Sequence, residues 1–341
     1  DQYLNLKEKN QTLSLFLSEI VADQGLTILE KQVAKEEINA FVMQEMLGFD
    51  LRLNRLFDAN WIKQRIQELK LSASSLRAYL ECKRTFFFEY ILGLTSIPNV
   101  HAVFGQVAHE TLNQLLVFVG DEQLEISAKL VNNTFAKVAE KSRYLLNDKS
   151  FADLLSKGNE ILPSFWAYTA KGISAQSKGE LPVKAYLDKT VPIYGKLDRF
   201  DKVDNSFSRI IDYKSSRKTS KLRVAKSDDY GGVYWFQMLF YKVLMEASSL
   251  MKHANIELRI EYLDDSKKSN QVDFDSDKLE FSIDQVEWMR LLIKNSYDEI
   301  LKEDFRARCE DTSCKWCSLK VKSESEISIF ESQFKDSFDE S

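Results

Sequence analysis

The sequence predicts an α/β domain, a central mixed sheet flanked by helices, with a helical extension in front of it. Three observations lead there. Apolar residues recur three and four apart over the first half of the chain, as they do on a buried helix face. The character changes near residue 181 to short β-prone runs broken by polar turns. Gly (11) and Pro (4) are few among 341 residues, which favours long helices over many strands and turns.

In order, Leu13, Phe16, Leu17, Ile20 and Val21 form the first helical stripe and Ile38, Phe41, Val42, Met46 and Leu47 the second. Asp58 is a candidate N-cap for a helix carrying Trp61, Ile62, Ile66 and Leu69, and Ser72 or Ser74 for one running through Leu76 and Tyr79 to Tyr90. Helical patterns continue from about Ala102 to about Ala170. An extended stretch begins at Val183, with Pro182 before it and Pro192 after it. Residues 194–200 and 209–214 read as adjacent strands, joined by a hairpin turn at Asp204-Asn205-Ser206. A helix from about Tyr230 to Met251, strands at 256–262 and around 272–274, and a helix from about Ile283 to Glu303 complete the pattern. The tail beyond Lys322 is rich in Ser and acids and reads as solvated.

Lys+Arg 47 against Asp+Glu 52 gives a formal net charge of −5, so a face for an anionic partner has to come from local clustering of Lys and Arg. Hydrophobic content of 44% and charged content of 29% are those of an ordinary globular protein. No apolar run reaches the roughly 18 to 20 residues that span a bilayer. The start, Asp1-Gln2-Tyr3-Leu4, has neither an initiator Met nor a signal peptide, and reads as a piece cut from a longer polypeptide, its C-terminal part. No Gly-x-x-x-x-Gly-Lys-[Ser/Thr] loop is present, so ATP hydrolysis is not expected of this chain.

The chemistry centres on Asp212-Tyr213-Lys214. Residues two apart in a strand share a face, so Asp212 and Lys214 point together. A carboxylate that holds a divalent ion beside an ammonium that orients water or stabilises phosphate charge suits phosphodiester hydrolysis. Asp198, on the preceding strand, can add a second carboxylate, and hard oxygen ligands suit Mg²⁺ or Mn²⁺. Taken alone, the triplet also fits an exposed hairpin with satisfied aspartates. The segment from Lys214 to Lys226 carries Arg217, Lys218, Lys221 and Arg223 and no acid, which makes it either a grip on a phosphate backbone or a solvated loop.

Gly195-Lys196-Leu197-Asp198, followed fourteen positions later by Asp212, resembles the core signature of the PD-(D/E)XK nuclease superfamily. Gly105-Gln106-Val107-Ala108-His109-Glu110 resembles the Gly-x-x-x-His-Glu pattern of its RecB-like members. Gln237-Met238-Leu239-Phe240-Tyr241 resembles their Gln-x-x-x-Tyr motif. Each motif is short, but the four occur in the family's order. The resemblance implies a restriction-endonuclease-like core over 71–322, behind a helical linker (1–70) from a helicase-like region and before an acidic tail (323–341). It implies His109, Asp198 and Asp212 as metal ligands, with the main-chain carbonyl of Tyr213, and Lys214 as the catalytic lysine. Gln237 and Tyr241 would contact DNA or support the site.

Four cysteines, at 82, 309, 314 and 317, in a chain without a secretory signal point to metal or redox chemistry. In the AddB-like branch of the family, one Cys before the core and three after it bind an iron–sulfur cluster. Here Cys309 precedes the Cys314-Lys315-Trp316-Cys317 pair, which departs from the family order, and zinc or no metal stays open. The expected activity is metal-dependent DNA hydrolysis, exonucleolytic and coupled to a helicase in double-strand-break repair, in the bacterial cytoplasm. A non-catalytic DNA-binding module and a stand-alone single-strand nuclease are the other readings.

Overall fold

The computed structural model describes residues 59–318, apart from 95–97, 123–125, 175, 205, 217, 219–229, 249, 251–254, 264–273, 275, 306 and 308. The two first helical stripes, the Asp58 cap, Arg217, most of the basic segment after it and the tail lie outside these residues.

Described helix begins with α1 (Ala59–Gln67), and α2 (Ala73–Glu81) follows it. Ser72 caps α2 as expected, in a reciprocal box: its side chain accepts from the Ser75 amide and the Ser75 hydroxyl accepts from the Ser72 amide. The single helix expected through Tyr90 is instead broken at Cys82, whose extended backbone (φ −159°) ends α2 and caps the short α3 (Lys83–Phe86). A π-helical turn, Phe87–Ile91, comes next. Three helices fill the stretch read as helical from 102 to 170: α4 (Val100–Glu122), α5 (Ala128–Glu140) and α6 (Asp148–Thr169).

Among the described residues the sheet has five strands in sequence order: β1 (Ser177–Leu187), β2 (Val191–Lys202), β3 (Phe207–Lys214), β4 (Asn255–Tyr262) and β5 (Ser276–Leu279). All neighbours are antiparallel except β3 and β4, so the sheet is mixed. A parallel pair needs a crossover, and α7 (Val233–Ala247), shorter than the expected 230–251, lies between these two strands. Two more helices follow, α8 (Ile283–Ile300) and the one-turn α9 (Lys315–Ser318).

Two sheet expectations need correction. β1 starts six residues earlier than the expected Val183 and contains Pro182, which an edge strand tolerates because one side of its backbone has no partner strand. The strand expected around 272–274 is not seen at Phe274, the one described residue of the three. β5 lies just after it, in a polar Ser-Asp-Lys-Leu run without apolar alternation.

Helices cover both faces. Tyr213 and Ile211 point into a core built with α4, α5 and α6. There the Phe165 ring meets Tyr213 at 5.7 Å and Phe274 at 5.1 Å, both edge-on, contacts worth about 0.5–1.5 kcal/mol each beyond their buried area. α7 packs across β1, β2 and β4, with α8 and α2 against it. Strand alternation therefore turns Asp212 and Lys214 away from the Tyr213 core, and Lys214 reaches α7.

Candidate active site

The site forms where two strands part. β2 and β3 are paired from Arg199↔Ile211 to Lys202↔Ser208 and no further, so the ladder opens at the step where Asp198 and Asp212 would pair. The Tyr213 amide, left without a carbonyl across the strand, donates to Asp198 Oδ2 at 2.8 Å. The other oxygen of Asp198 lies 3.3 Å from His109 Nδ1, on α4. Gly105 sits one turn earlier on the same helix. A Cβ there would lie 3.1 Å from Ser215 Oγ, so glycine permits α4 to come this close to the end of β3.

Lys214 Nζ is 2.6 Å from Asp212 Oδ2 and donates to Gln237 Oε1 at 2.8 Å. Gln237 Nε2 donates to the Tyr241 hydroxyl (3.0 Å), which donates to the Lys196 carbonyl (3.1 Å). That chain fixes the orientation of the Gln237 amide and holds Lys214 beside Asp212, because each donor direction sets the next. Gln237 and Tyr241, one helical turn apart, thus support the lysine through α7. The approach of α7 depends on Gly195, where a Cβ would lie 2.7 Å from Leu244 Cδ2 and 3.0 Å from Tyr241 Cε1. Gly195→Ala is expected to cost about 1–3 kcal/mol in thermal unfolding, as overpacking does.

Burial and charge push the two aspartates apart. Burial drives the Asp212 carboxyl up to about 6, the Lys214 ammonium pulls against it and the Asp198 charge adds to it. Asp198 is opposed by burial as well, yet the His109 charge and hydrogen bond, Lys214 and the Tyr213 amide hold it below the usual range. His109 and Lys214 are both raised: burial opposes their charge, but the carboxylates outweigh it. Although Lys214 is near, Asp212 Oδ2 is buried and makes no hydrogen bond of acceptable angle. A buried carboxylate oxygen with unused lone pairs, beside a second carboxylate and an imidazole, is a donor set that fits a hard divalent ion.

Glu180 is the residue that the sequence reading missed. It stands opposite Asp198 at the one step that the β1–β2 ladder skips, with φ +50°, and its carboxylate pairs with Lys196. Ligand atoms of Glu180, His109 and Asp198 lie within 4.8 Å of one another. A non-glycine residue in the left-handed region costs of order 1–3 kcal/mol and is often found at functional sites. Starting β1 at Ser177 would have placed Glu180 there by register alone.

Behind the site, Arg199 is fully buried. It is bidentate to Asp201 (2.8 and 2.7 Å) and donates to the carbonyl and hydroxyl of Thr169 at 3.0 and 2.8 Å and to the Tyr213 hydroxyl at 3.4 Å. Thr169 in turn donates to buried Glu261 at 2.6 Å.

A groove of about 970 Å³ borders the site through Lys196, Gln237 and Tyr241, while His109, Asp198, Asp212 and Lys214 are not in its lining. Lys70, Arg77, Cys82, Cys309 and Cys314 also line it. All four cysteines meet, with their sulfurs within 4.8 Å of one another. Lys218 pairs with Asp277 of β5 at 2.5 Å.

The sequence pattern of the PD-(D/E)XK nuclease superfamily matches residues 70–321. The chain belongs to this superfamily. Its order of His109, Asp198, Asp212-Tyr213-Lys214 and Gln237…Tyr241 is thus read on a superfamily fold, a mixed sheet between helices. The chain is also similar to an ATP-dependent helicase/deoxyribonuclease subunit of Streptococcus mutans, 26% identical over 239 residues, covering 65% of this chain and 20% of that protein. The corresponding subunit of Clostridium botulinum is 26% identical over 271 residues, 69% of this chain and 23% of that one. The chain therefore spans about a fifth of the length of these relatives. A solved structure of a candidate exonuclease from Eubacterium rectale aligns with 88% of this chain and 98% of its own, at 10% identity and a TM-score of 0.49, a likeness too slight to carry an argument.

Proposed function

We propose that this domain is a divalent-metal-dependent deoxyribonuclease, an exonuclease that works on DNA ends with a helicase-like domain or subunit in double-strand-break repair, in the bacterial cytoplasm. The observation that carries the reading is the Asp212–Lys214 pair, held beside Asp198 and His109 at the parting of β2 and β3 in a member of a nuclease superfamily. The names of the similar proteins support the DNA substrate and the helicase partner.

His109, Asp198 and Asp212, with the Tyr213 carbonyl, would hold Mg²⁺ or Mn²⁺, which when bound makes water a better nucleophile and offsets phosphate charge. Lys214 Nζ, anchored by Gln237, is placed to donate to a phosphate oxygen or to orient the attacking water. Lys70, Arg77 and Lys196 along the groove supply positive charge for the backbone of the strand.

Glu180 would add a further carboxylate to the ion. Glu180→Gln keeps the shape and removes the charge. It is expected to weaken Mn²⁺ binding about tenfold in calorimetry and to leave the melting temperature within a few degrees. Unchanged Mn²⁺ affinity would remove Glu180 from the site.

The reading is tested with end-labelled linear DNA and closed circular DNA, in Mn²⁺ and then in EDTA. Loss of the linear DNA alone, only with metal, is expected. Equal attack on both forms would replace the exonuclease by an endonuclease, and inertness towards both would leave a binding module.

A further inference from the structure

The four cysteines converge across the length of the domain. Cys82 sits at the break between α2 and α3, whereas Cys314 and Cys317 flank and enter α9, where the Cys317 amide donates to the Cys314 carbonyl at 3.1 Å. Cys309 approaches from the segment before α9. Cys82 Sγ lies 3.4 Å from Cys317 Sγ and 3.9 Å from Cys314 Sγ, and Cys309 Sγ lies 3.6 Å from Cys317 Sγ. No pair is more than 4.8 Å apart.

Those separations decide between two kinds of centre. A single ion held tetrahedrally by thiolates at about 2.3 Å places the sulfurs about 3.8 Å apart. In a four-iron cluster each thiolate binds a different iron at a corner of the cube, which spreads the sulfurs to roughly 6 Å. Every pair here falls short of that, and each sulfur would have to retreat by roughly 1 Å to admit the cube.

The surroundings oppose such a retreat. Trp316, between Cys314 and Cys317, lies flat on Phe88 with ring centres 4.6 Å apart and planes 9° apart, and its indole donates to Glu89 at 2.9 Å. Phe305, just before Cys309, packs on Phe86 and Phe87 at 5.9 and 5.2 Å. These ring contacts hold the backbone beside Cys309, Cys314 and Cys317. Thr85 donates its amide to Cys82 Sγ (3.4 Å), and its hydroxyl lies 3.6 Å from Cys314 Sγ, contacts that favour thiolates and orient them inward. The order of the cysteines also departs from the pattern that implied a cluster, since the isolated Cys309 comes before the Cys-x-x-Cys pair.

We propose that Cys82, Cys309, Cys314 and Cys317 form a closed tetrathiolate site for one Zn²⁺, not a four-iron cluster. With four protein ligands it has no open position, so its role is structural. It ties the break between α2 and α3 to α9, and three of its cysteines line the groove that Gln237 and Tyr241 also line.

The test is metal content. The 341-residue chain is purified without air from cells supplied with both iron and zinc, and metals are measured per chain together with the visible spectrum. One zinc per chain and a colourless protein are expected. Growth with Co²⁺ should give the intense red-region absorption of tetrahedral cobalt–thiolate. Cys309→Ser, which leaves three thiols, is expected to lower zinc occupancy at least severalfold while circular dichroism shows the fold retained. If that variant does not fold, the wild-type metal count and cobalt spectrum still decide the matter. About four irons per chain with broad absorption near the violet would overturn the proposal. So would one iron per chain, or a metal-free protein whose cysteines are disulfide-bonded. None of these readouts depends on nuclease activity.

Discussion

Asp212→Ala is expected to abolish the proposed DNA hydrolysis, lowering the rate at saturating Mn²⁺ by at least ~10³-fold, with the domain still folded. Three features make the effect large. Asp212 is 1% exposed, and Ala in its place leaves the ion without a charged ligand for which neutral water is a poor substitute. Its Oδ2 faces Lys214 at 2.6 Å, so the change removes a carboxylate ligand and takes a partner from Lys214 alone. Lys214 keeps its bond to Gln237 and stays in place. In the wild-type protein the carboxyl, raised to about 6 by burial, has to lose its proton before an ion binds. His109, in the same site, also has to be neutral to bind and is raised from its ordinary value, so Mn²⁺ affinity should rise with pH through the range in which both groups lose their protons, and the variant should keep only the part that His109 contributes. Calorimetry and the end-labelled assay check both statements. Full activity in Asp212→Ala would remove the Asp-x-Lys pair from the chemistry altogether.

Arg199→Met costs about 3–5 kcal/mol of stability, because it leaves a buried charge without its partner. Arg199 and Asp201 are 0% and 1% exposed and share two hydrogen bonds of 2.8 and 2.7 Å. Removing the guanidinium strands the Asp201 carboxylate, with only the Ser177 hydroxyl at 2.5 Å still donating to it. The Thr169 carbonyl loses a donor as well. For a domain of this size the loss corresponds to a melting temperature lower by roughly 10 °C. Changing both partners, Arg199→Met with Asp201→Leu, should recover a good part of it, since the pair's attraction is largely spent on its own desolvation. Thermal unfolding of the single and double variants measures this. A single variant that melts within about 2 °C of wild type would show the cluster to be unimportant for stability.

How much of this could be read from the residues differs by element. The Ser72 cap, the alternation that sets Asp212 beside Lys214, and the i, i+4 spacing of Gln237 and Tyr241 depend on neighbours a few positions away, and all three appear as expected. The break at Cys82 was not legible, since the apolar pattern runs straight through it and the extended backbone goes with the role of Cys82 at the sulfur cluster. β5 was missed because a short polar edge strand has no pattern to find. Arg199 looks like any charged residue on a strand, and Glu180 falls before the stretch that reads as extended; their meaning comes from what faces them. Lys218, in the segment that reads as a phosphate grip or a solvated loop, pairs with Asp277.

By itself, then, the sequence determined the α/β class, the superfamily and the order of its motifs, because those rest on local periodicity and on short runs of residues. Only the tertiary structure decided that the β2–β3 ladder opens at Asp198, that Glu180 joins it from β1, and that sulfurs from positions 82 and 309–317 close to within 4.8 Å. These depend on strand register and on closing loops of up to 235 residues, and a contact across such a loop leaves no periodic mark on the chain.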